Sequence, residues 1–137
     1  MTDYLAALSK GMSDGERVIN NLKEIQGTFD EMARQIFEGT GIKIFLSGPV
    51  VNKLAQLIKN STAEPAAVNS DILASRPSIP GEVSIGRWLP AETGYPVQLM
   101  FGGVTQICAD KISLENSLSN MLKHPVVGKA LIHLHGL

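Results

Sequence analysis

The sequence predicts an α+β fold in which helices accompany a small antiparallel sheet. Over the first forty residues, apolar side chains recur every three or four positions, which indicates an amphipathic helix. Further along, two apolar-rich runs flank Gly102-Gly103, which is typical of a β-hairpin. Because 137 residues is a usual size for one domain, we expect a single unit with a helical arm over 1–41 and an α+β body over 42–137.

The clearest element is a long amphipathic helix, predicted over residues 14–38. Ser13 and Glu16 have the spacing of a capping box at its start, and Gly39 and Gly41 favour its end. The apolar seam of this helix has heptad spacing over nearly three repeats. The seam consists of Val18, Leu22, Ile25, Phe29, Met32 and Ile36.

The same register continues toward the start of the chain. Tyr4 and Leu8 fall on it, so a short helix over 3–10 is expected to extend the stripe. Gly11 and Gly15 are expected to separate the two helices, because glycine is a poor helix former.

The long helix has two possible partners, its own domain or a second molecule. Positions beside the seam carry no charge, unlike a two-stranded zipper, and Ile19, Ala33 and Phe37 widen the stripe. A helix of about 25 residues is about 38 Å long, which is more than a small sheet needs for cover. We therefore predict a homo-oligomer, most simply a dimer. The predicted interface residues on this helix are Leu22, Ile25, Phe29, Met32 and Ile36.

The middle of the chain predicts three elements. Residues 42–46 alternate weakly and predict a short strand, and the helical spacing after Pro49 predicts a second helix over 49–59. Residues 60–82 contain three prolines and no sustained period, which predicts a long loop of the kind that is often functional. Within that loop, residues 71–74 are expected to form a single helical turn.

Strands dominate the prediction for the second half. Residues 82–88 alternate and predict a strand, and the hairpin strands are predicted over 95–101 and 104–109. A two-residue turn fixes the register of a hairpin, so the pairs and their shared core face can be named. The expected pairs are Phe101 with Val104, Leu99 with Gln106, and Val97 with Cys108.

A further helix is predicted over residues 110–123, with Ser113 as its N-cap. Pro125 interrupts it, because proline is not tolerated inside a helix. Residues 126–137 fit either a helix or a strand, and the sequence leaves the choice open.

Composition excludes some classes of protein. Twelve basic and thirteen acidic side chains give a net charge of -1, which gives no strong sign of nucleic-acid binding. No apolar run approaches the roughly 20 residues of a membrane span, and no basic segment opens the chain as in a secretion signal. The single cysteine, Cys108, permits no internal disulfide. We therefore expect a cytoplasmic protein without a membrane partner.

Candidate chemistry is sparse. If the C-terminal segment is a strand, His133 and His135 share a face and are weak candidates for a metal pair, with Asp110 as a further group. Cys108 is a candidate nucleophile, although the hairpin register places it among apolar residues, where a thiol is inert. Ser47-Gly48-Pro49 weakly resembles an anion cradle at a helix start.

The sequence favours a non-enzymatic interaction protein without a cofactor: an adaptor, an inhibitor or an immunity-type binder. Arg87 and Trp88 are the predicted anchors beyond the long helix, because these residue types are frequent at the centre of interfaces. Two alternatives stay open. One is a small enzyme or metal-binding protein that uses His133, His135 and Asp110, and the other is a small-ligand binder with loop 60–82 as its lid.

Overall fold

A five-stranded antiparallel sheet with helices packed on one face forms the body of the computed structural model, which describes residues 3–47 and 70–135. The predicted α+β class, with a long N-terminal helix and a Gly-Gly hairpin, is confirmed. The second helix predicted over 49–59 lies outside the described residues. The elements are α1 (Tyr4–Thr40), β1 (Lys43–Ser47), β2 (Ser70–Arg76), β3 (Ile79–Ala91), β4 (Gly94–Phe101), β5 (Val104–Cys108), α2 (Lys111–Lys123) and α3 (Pro125–His135).

Helix α1 is one continuous helix of 37 residues, so the expected break at Gly11 and Gly15 is wrong. The capping box at Ser13 is wrong too, because the helix starts at Tyr4 and its N-cap is Asp3, whose Oδ1 accepts a hydrogen bond from the Ala6 N–H at 3.0 Å. An exposed glycine costs a helix only about 1 kcal/mol, which good helix formers on both sides outweigh. The expected end at Gly41 is confirmed, since its φ of 77° suits glycine.

The sheet is a meander in the order β1-β2-β3-β4-β5. Strand β1 confirms the strand predicted over 42–46. The loop predicted over 60–82 is wrong from residue 70 onward, because β2 occupies 70–76 and β3 begins at Ile79. The helical turn predicted at 71–74 is wrong for the same reason, since those residues belong to β2. The reason is that Ile72 and Ala74 both point into the core while β2 pairs with β1. Their short alternation is hard to detect in the sequence because small polar residues surround it.

The β4–β5 hairpin has the predicted register, with Phe101 paired to Val104, Leu99 to Gln106 and Val97 to Cys108. Four of those side chains are buried, whereas Ile107 on the opposite face is exposed. The predicted core face is therefore confirmed at its centre. Val104 and Gln106 lie at its margin and are only partly covered.

The tip of this hairpin gives the first testable prediction. Gly102 and Gly103 have φ values of 54° and 80°, so alanine at either position is strained. A Cβ at Gly102 would also overlap the His124 ring, whereas one at Gly103 would meet no atom within 4 Å. We expect Gly103→Ala to lower the free energy of unfolding by about 1 kcal/mol and Gly102→Ala to lower it clearly further. Urea denaturation of both variants measures this, and equal losses would contradict the assigned position of His124.

The two C-terminal helices meet at His124. Asp110, not the predicted Ser113, is the N-cap of α2, since its Oδ1 accepts the Ser113 N–H at 2.8 Å. Helix α2 ends at Lys123, as Pro125 requires, and α3 begins at that proline. The open choice for the C-terminal segment is thereby settled as a helix. Helix α3 turns Val127 and Leu134 into the core and contacts β2 and β3.

The core lies between the sheet and these helices. Leu22, Ile25 and Phe29 of α1 are buried there, and the Phe29 ring lies 5.0 Å from that of Trp88 on β3. Beyond the core, the Tyr95 hydroxyl donates a hydrogen bond to Glu24 Oε1 at 2.7 Å and so connects β4 to α1. Over the described ranges, no helix is both long and apolar enough to cross a membrane.

Candidate interaction surface

The inner face of α1 is committed to the core of its own chain. Leu22, Ile25 and Phe29 are almost fully buried, while Met32 and Ile36 are half-buried beside them. In this conformation the three buried side chains have no surface to offer to a second molecule. Any contact through α1 therefore has to use another part of the helix.

Arg87 and Trp88 point to opposite faces of β3. Trp88 is fully buried in the core, so it offers no surface in this chain. Its Nε1–H has no acceptor among the described residues. Arg87 is exposed on the open face of the sheet, where its Nε donates to Asp71 Oδ1 at 3.1 Å. In this chain Arg87 and Trp88 therefore do not form one joint exposed surface.

The first turns of α1 carry large apolar side chains that the described chain leaves uncovered. Every residue from Asp3 to Ser13 is exposed to solvent. Four of the apolar ones form what we call the arm face. They are Tyr4, Leu5, Leu8 and Met12, whose exposed fractions are 78%, 79%, 58% and 63%. Exposed apolar patches of this kind commonly mark an interaction site.

The arm face could be predicted only in part from the sequence. Tyr4 and Leu8 fall on the register of the predicted core stripe, whereas Leu5 and Met12 do not. The available signal is a second spacing of three and four residues through Leu5, Leu8 and Met12 that continues to Ile19. Leu5, Met12 and Ile19 lie beside the core stripe, and Leu8 lies between the two stripes.

At the other end of α1, an open cavity of about 540 Å³ lies between the helix and strand β1. We call it the edge groove, because β1 is a border strand of the described sheet. Its apolar part includes Phe37 and Phe45, which are 47% and 37% exposed. The lining residues are Asp30, Ala33, Arg34, Phe37, Lys43, Ile44 and Phe45.

Charges along α1 form local ion pairs. Arg34 bonds to both Glu31 and Glu38, and its hydrogen bond, followed by that of Gln35, lowers the pKa of Glu31 to about 2. Near the arm face, Lys10 and then Arg17 lower the pKa of Asp14 in the same way. These groups are exposed, so each pair contributes little to stability.

A second groove, of about 610 Å³, lies between α1 and α2. Thr28, Met32 and Leu118 belong to its lining, and Glu24, Glu31 and Glu115 make its margins acidic. We call it the helix groove. At 100° per residue, its α1 residues lie on the opposite side of the helix from Leu5 and Met12.

Cys108 and Asp110, two of the candidate catalytic residues, occupy structural positions. Cys108 is buried, and burial raises the pKa of its thiol, which disfavours the reactive thiolate. Asp110 is exposed at the start of α2, where hydrogen bonds from Ser113 lower its pKa. These positions suit a core side chain and a helix cap.

The strand that a His133–His135 metal pair requires is replaced by α3. Positions two apart on a helix point about 200° apart, so α3 does not provide the shared face on which the candidate pair depends. The side chain of His135 lies outside the described residues, as do Gly48 and Pro49 of the predicted anion cradle. Within the described part, no three His, Cys, Asp or Glu residues come together as a metal site.

No protein family, no curated protein and no solved structure matches this chain.

Proposed function

We propose that the chain is a non-enzymatic interaction protein that self-associates through α1. The observation that carries the proposal is the arm face, which places four large apolar side chains on a helix segment with no cover from the described chain. Burial of apolar surface contributes about 25 cal/mol per Å², so a partner that covers these side chains gains binding free energy from them. A cytoplasmic location and an adaptor, inhibitor or immunity-type role stay predictions from the sequence.

A second copy is the partner that requires the fewest further assumptions. Each copy carries the same exposed stripe, and a two-fold dimer covers both stripes with one type of contact. The proposed interface therefore moves from the buried residues Leu22 and Phe29 to the arm face.

Sedimentation velocity of the full chain tests the proposal. The expected mass at micromolar concentration is twice the 14.7 kDa of one chain. Leu8→Asp places a charge in the arm face and is expected to give single chains that keep the wild-type circular dichroism. Ile112→Asp is the matched control, since Ile112 is 69% exposed on α2, away from the arm face, and it should sediment as the wild type does. A wild type that sediments as single chains throughout would refute self-association.

A further inference from the structure

We propose that the arm face of one copy packs into the edge groove of a second copy, with the two α1 helices antiparallel. This inference rests on the proposed self-association and adds the surface that receives the arm. It assigns a function to both exposed ends of α1, and it makes the two contacts of the dimer equivalent.

The positions of the apolar side chains around the axis of α1 favour this pairing. At 100° per residue, Leu5, Leu8 and Met12 fall on the same side of α1 as Ala33 and Phe37, all within about 80° around the helix axis. Ile19, which is half-buried, lies between the two ends on that same side. Polar residues, among them Lys23 and Asp30, also lie on this side between the two ends, so the apolar cover is concentrated at the ends. Apolar side chains at both ends of one side suit two antiparallel helices in side-by-side contact, because each helix uses one side along its whole length.

The side chains of the arm face and those of the edge groove also match in size. A two-fold antiparallel pair with its axis near the middle of α1 places Leu8 opposite Ala33 of the second copy and Leu5 close to Phe37. Large side chains of the arm then lie over a small residue and beside an exposed ring. The Ala33 position allows close approach of the helices. Phe45 of β1 closes the far side of the groove and gains cover in the same contact.

The area that the contact covers also favours pairing along the whole of α1. A stable protein interface covers about 800 Å² per partner. If only residues 4–17 paired, a contact about 21 Å long and 10 Å wide would cover roughly 200 Å². Pairing along the 37 residues of α1 gives a contact about 55 Å long, or roughly 550 Å², before β1 adds its share. The antiparallel arrangement therefore approaches the area of a stable dimer, whereas pairing of the arms alone falls far short.

The helix groove is a poorer receptor for the arm. It lies on the side of α1 opposite to Leu5 and Met12, near Glu24 and Met32. Two paired antiparallel helices would have to present opposite sides at their two ends to fill it. A twist of about 160° over twenty residues is much larger than the drift of about 20° per heptad between paired helices.

Disulfide trapping tests the register. Leu8→Cys and Ala33→Cys are made in separate full chains, mixed in equal amounts and oxidised mildly. A disulfide needs Cα atoms about 4.4–6.8 Å apart, so a bond forms only where the two positions meet. We expect the mixture to give a cross-linked dimer on a non-reducing gel and each variant alone to give almost none. The wild type controls for Cys108, which is buried.

The alternative outcomes separate this inference from the proposed function. If Leu8→Cys alone cross-links efficiently, the arms lie side by side and the antiparallel register is overturned, while self-association stands. A wild-type dimer in which the mixture gives no cross-link also overturns the register. Single chains in sedimentation overturn both. As a second readout, Phe37→Asp should dissociate the dimer and Ile107→Asp, on the open sheet face, should not.

Discussion

The Phe29→Asp variant is expected to unfold the whole chain and not merely to dissociate an assembly. Phe29 is 2% exposed and packs against Trp88 in the core. Removal of a buried aromatic ring costs about 3–5 kcal/mol, and a buried carboxylate without a partner adds a desolvation cost. Domains of this size have a free energy of unfolding of about 5–15 kcal/mol, so most of the stability is lost. Far-UV circular dichroism with urea denaturation measures the result.

The matched control is Phe37→Asp on the same helix. Phe37 is 47% exposed, so its replacement leaves the core intact, and we expect the variant to stay folded and to lose only the stability that the dimer contact contributes, much less than Phe29→Asp loses. A Phe29→Asp chain that still unfolds cooperatively near the wild-type midpoint would contradict the burial of this face. It would also restore Phe29 as a candidate for the interface between copies.

The Trp88→Ala variant is expected to lose about 3–5 kcal/mol of unfolding free energy, because it opens a large cavity at the centre of the core. Trp88 is fully buried and is the only tryptophan in the chain, so the measurement relies on circular dichroism. Trp88→Phe fills part of the cavity. Since the Nε1–H has no acceptor in the described structure, this variant gives up no hydrogen bond and should be much less destabilised.

Equal destabilisation by Trp88→Ala and Trp88→Phe would have a specific meaning. The indole N–H would then have a partner that contributes to stability, and the loss would be polar, not one of packing. A loss below about 1 kcal/mol in Trp88→Ala would instead show that the site is not buried, because core substitutions of this size do not cost so little.

Local chemistry made parts of the fold predictable from the sequence. The Gly102-Gly103 turn fixes the hairpin register, because few residues other than glycine adopt the backbone angles of that turn. The apolar spacing likewise predicts which side of α1 is buried around Phe29. The glycines at 11 and 15 are misleading, because a local propensity is weak against the rest of a long helix.

Other features depend on contacts between distant parts of the chain and could not be predicted. Strand β2 exists because Ile72 and Ala74 pack under the helices, and the short sequence around them carries no clear period. Asp110 takes the cap position from Ser113, which is three residues further along, a difference within the usual uncertainty of helix ends.

The exposure of the arm face could likewise not be predicted from the sequence. An apolar stripe indicates that a surface is covered but does not indicate by which molecule. Phe29 and Leu8 both fit a helical seam in the sequence, yet one is buried and the other is 58% exposed. The difference arises from where the sheet ends beneath α1, which is a property of the tertiary structure.

The meander order of the sheet bears on how the chain folds. Each strand pairs with its neighbour in the sequence, so most of the sheet forms by closing short loops at a small cost in chain entropy. Contacts of α1 span much longer separations, such as the bond from Asn21 Nδ2 to the Thr93 carbonyl, 72 residues apart. Long-range contacts slow folding. We therefore expect the hairpins to form first and α1 to dock late, so that a nascent chain exposes the apolar side of its first helix until the last strands are synthesised.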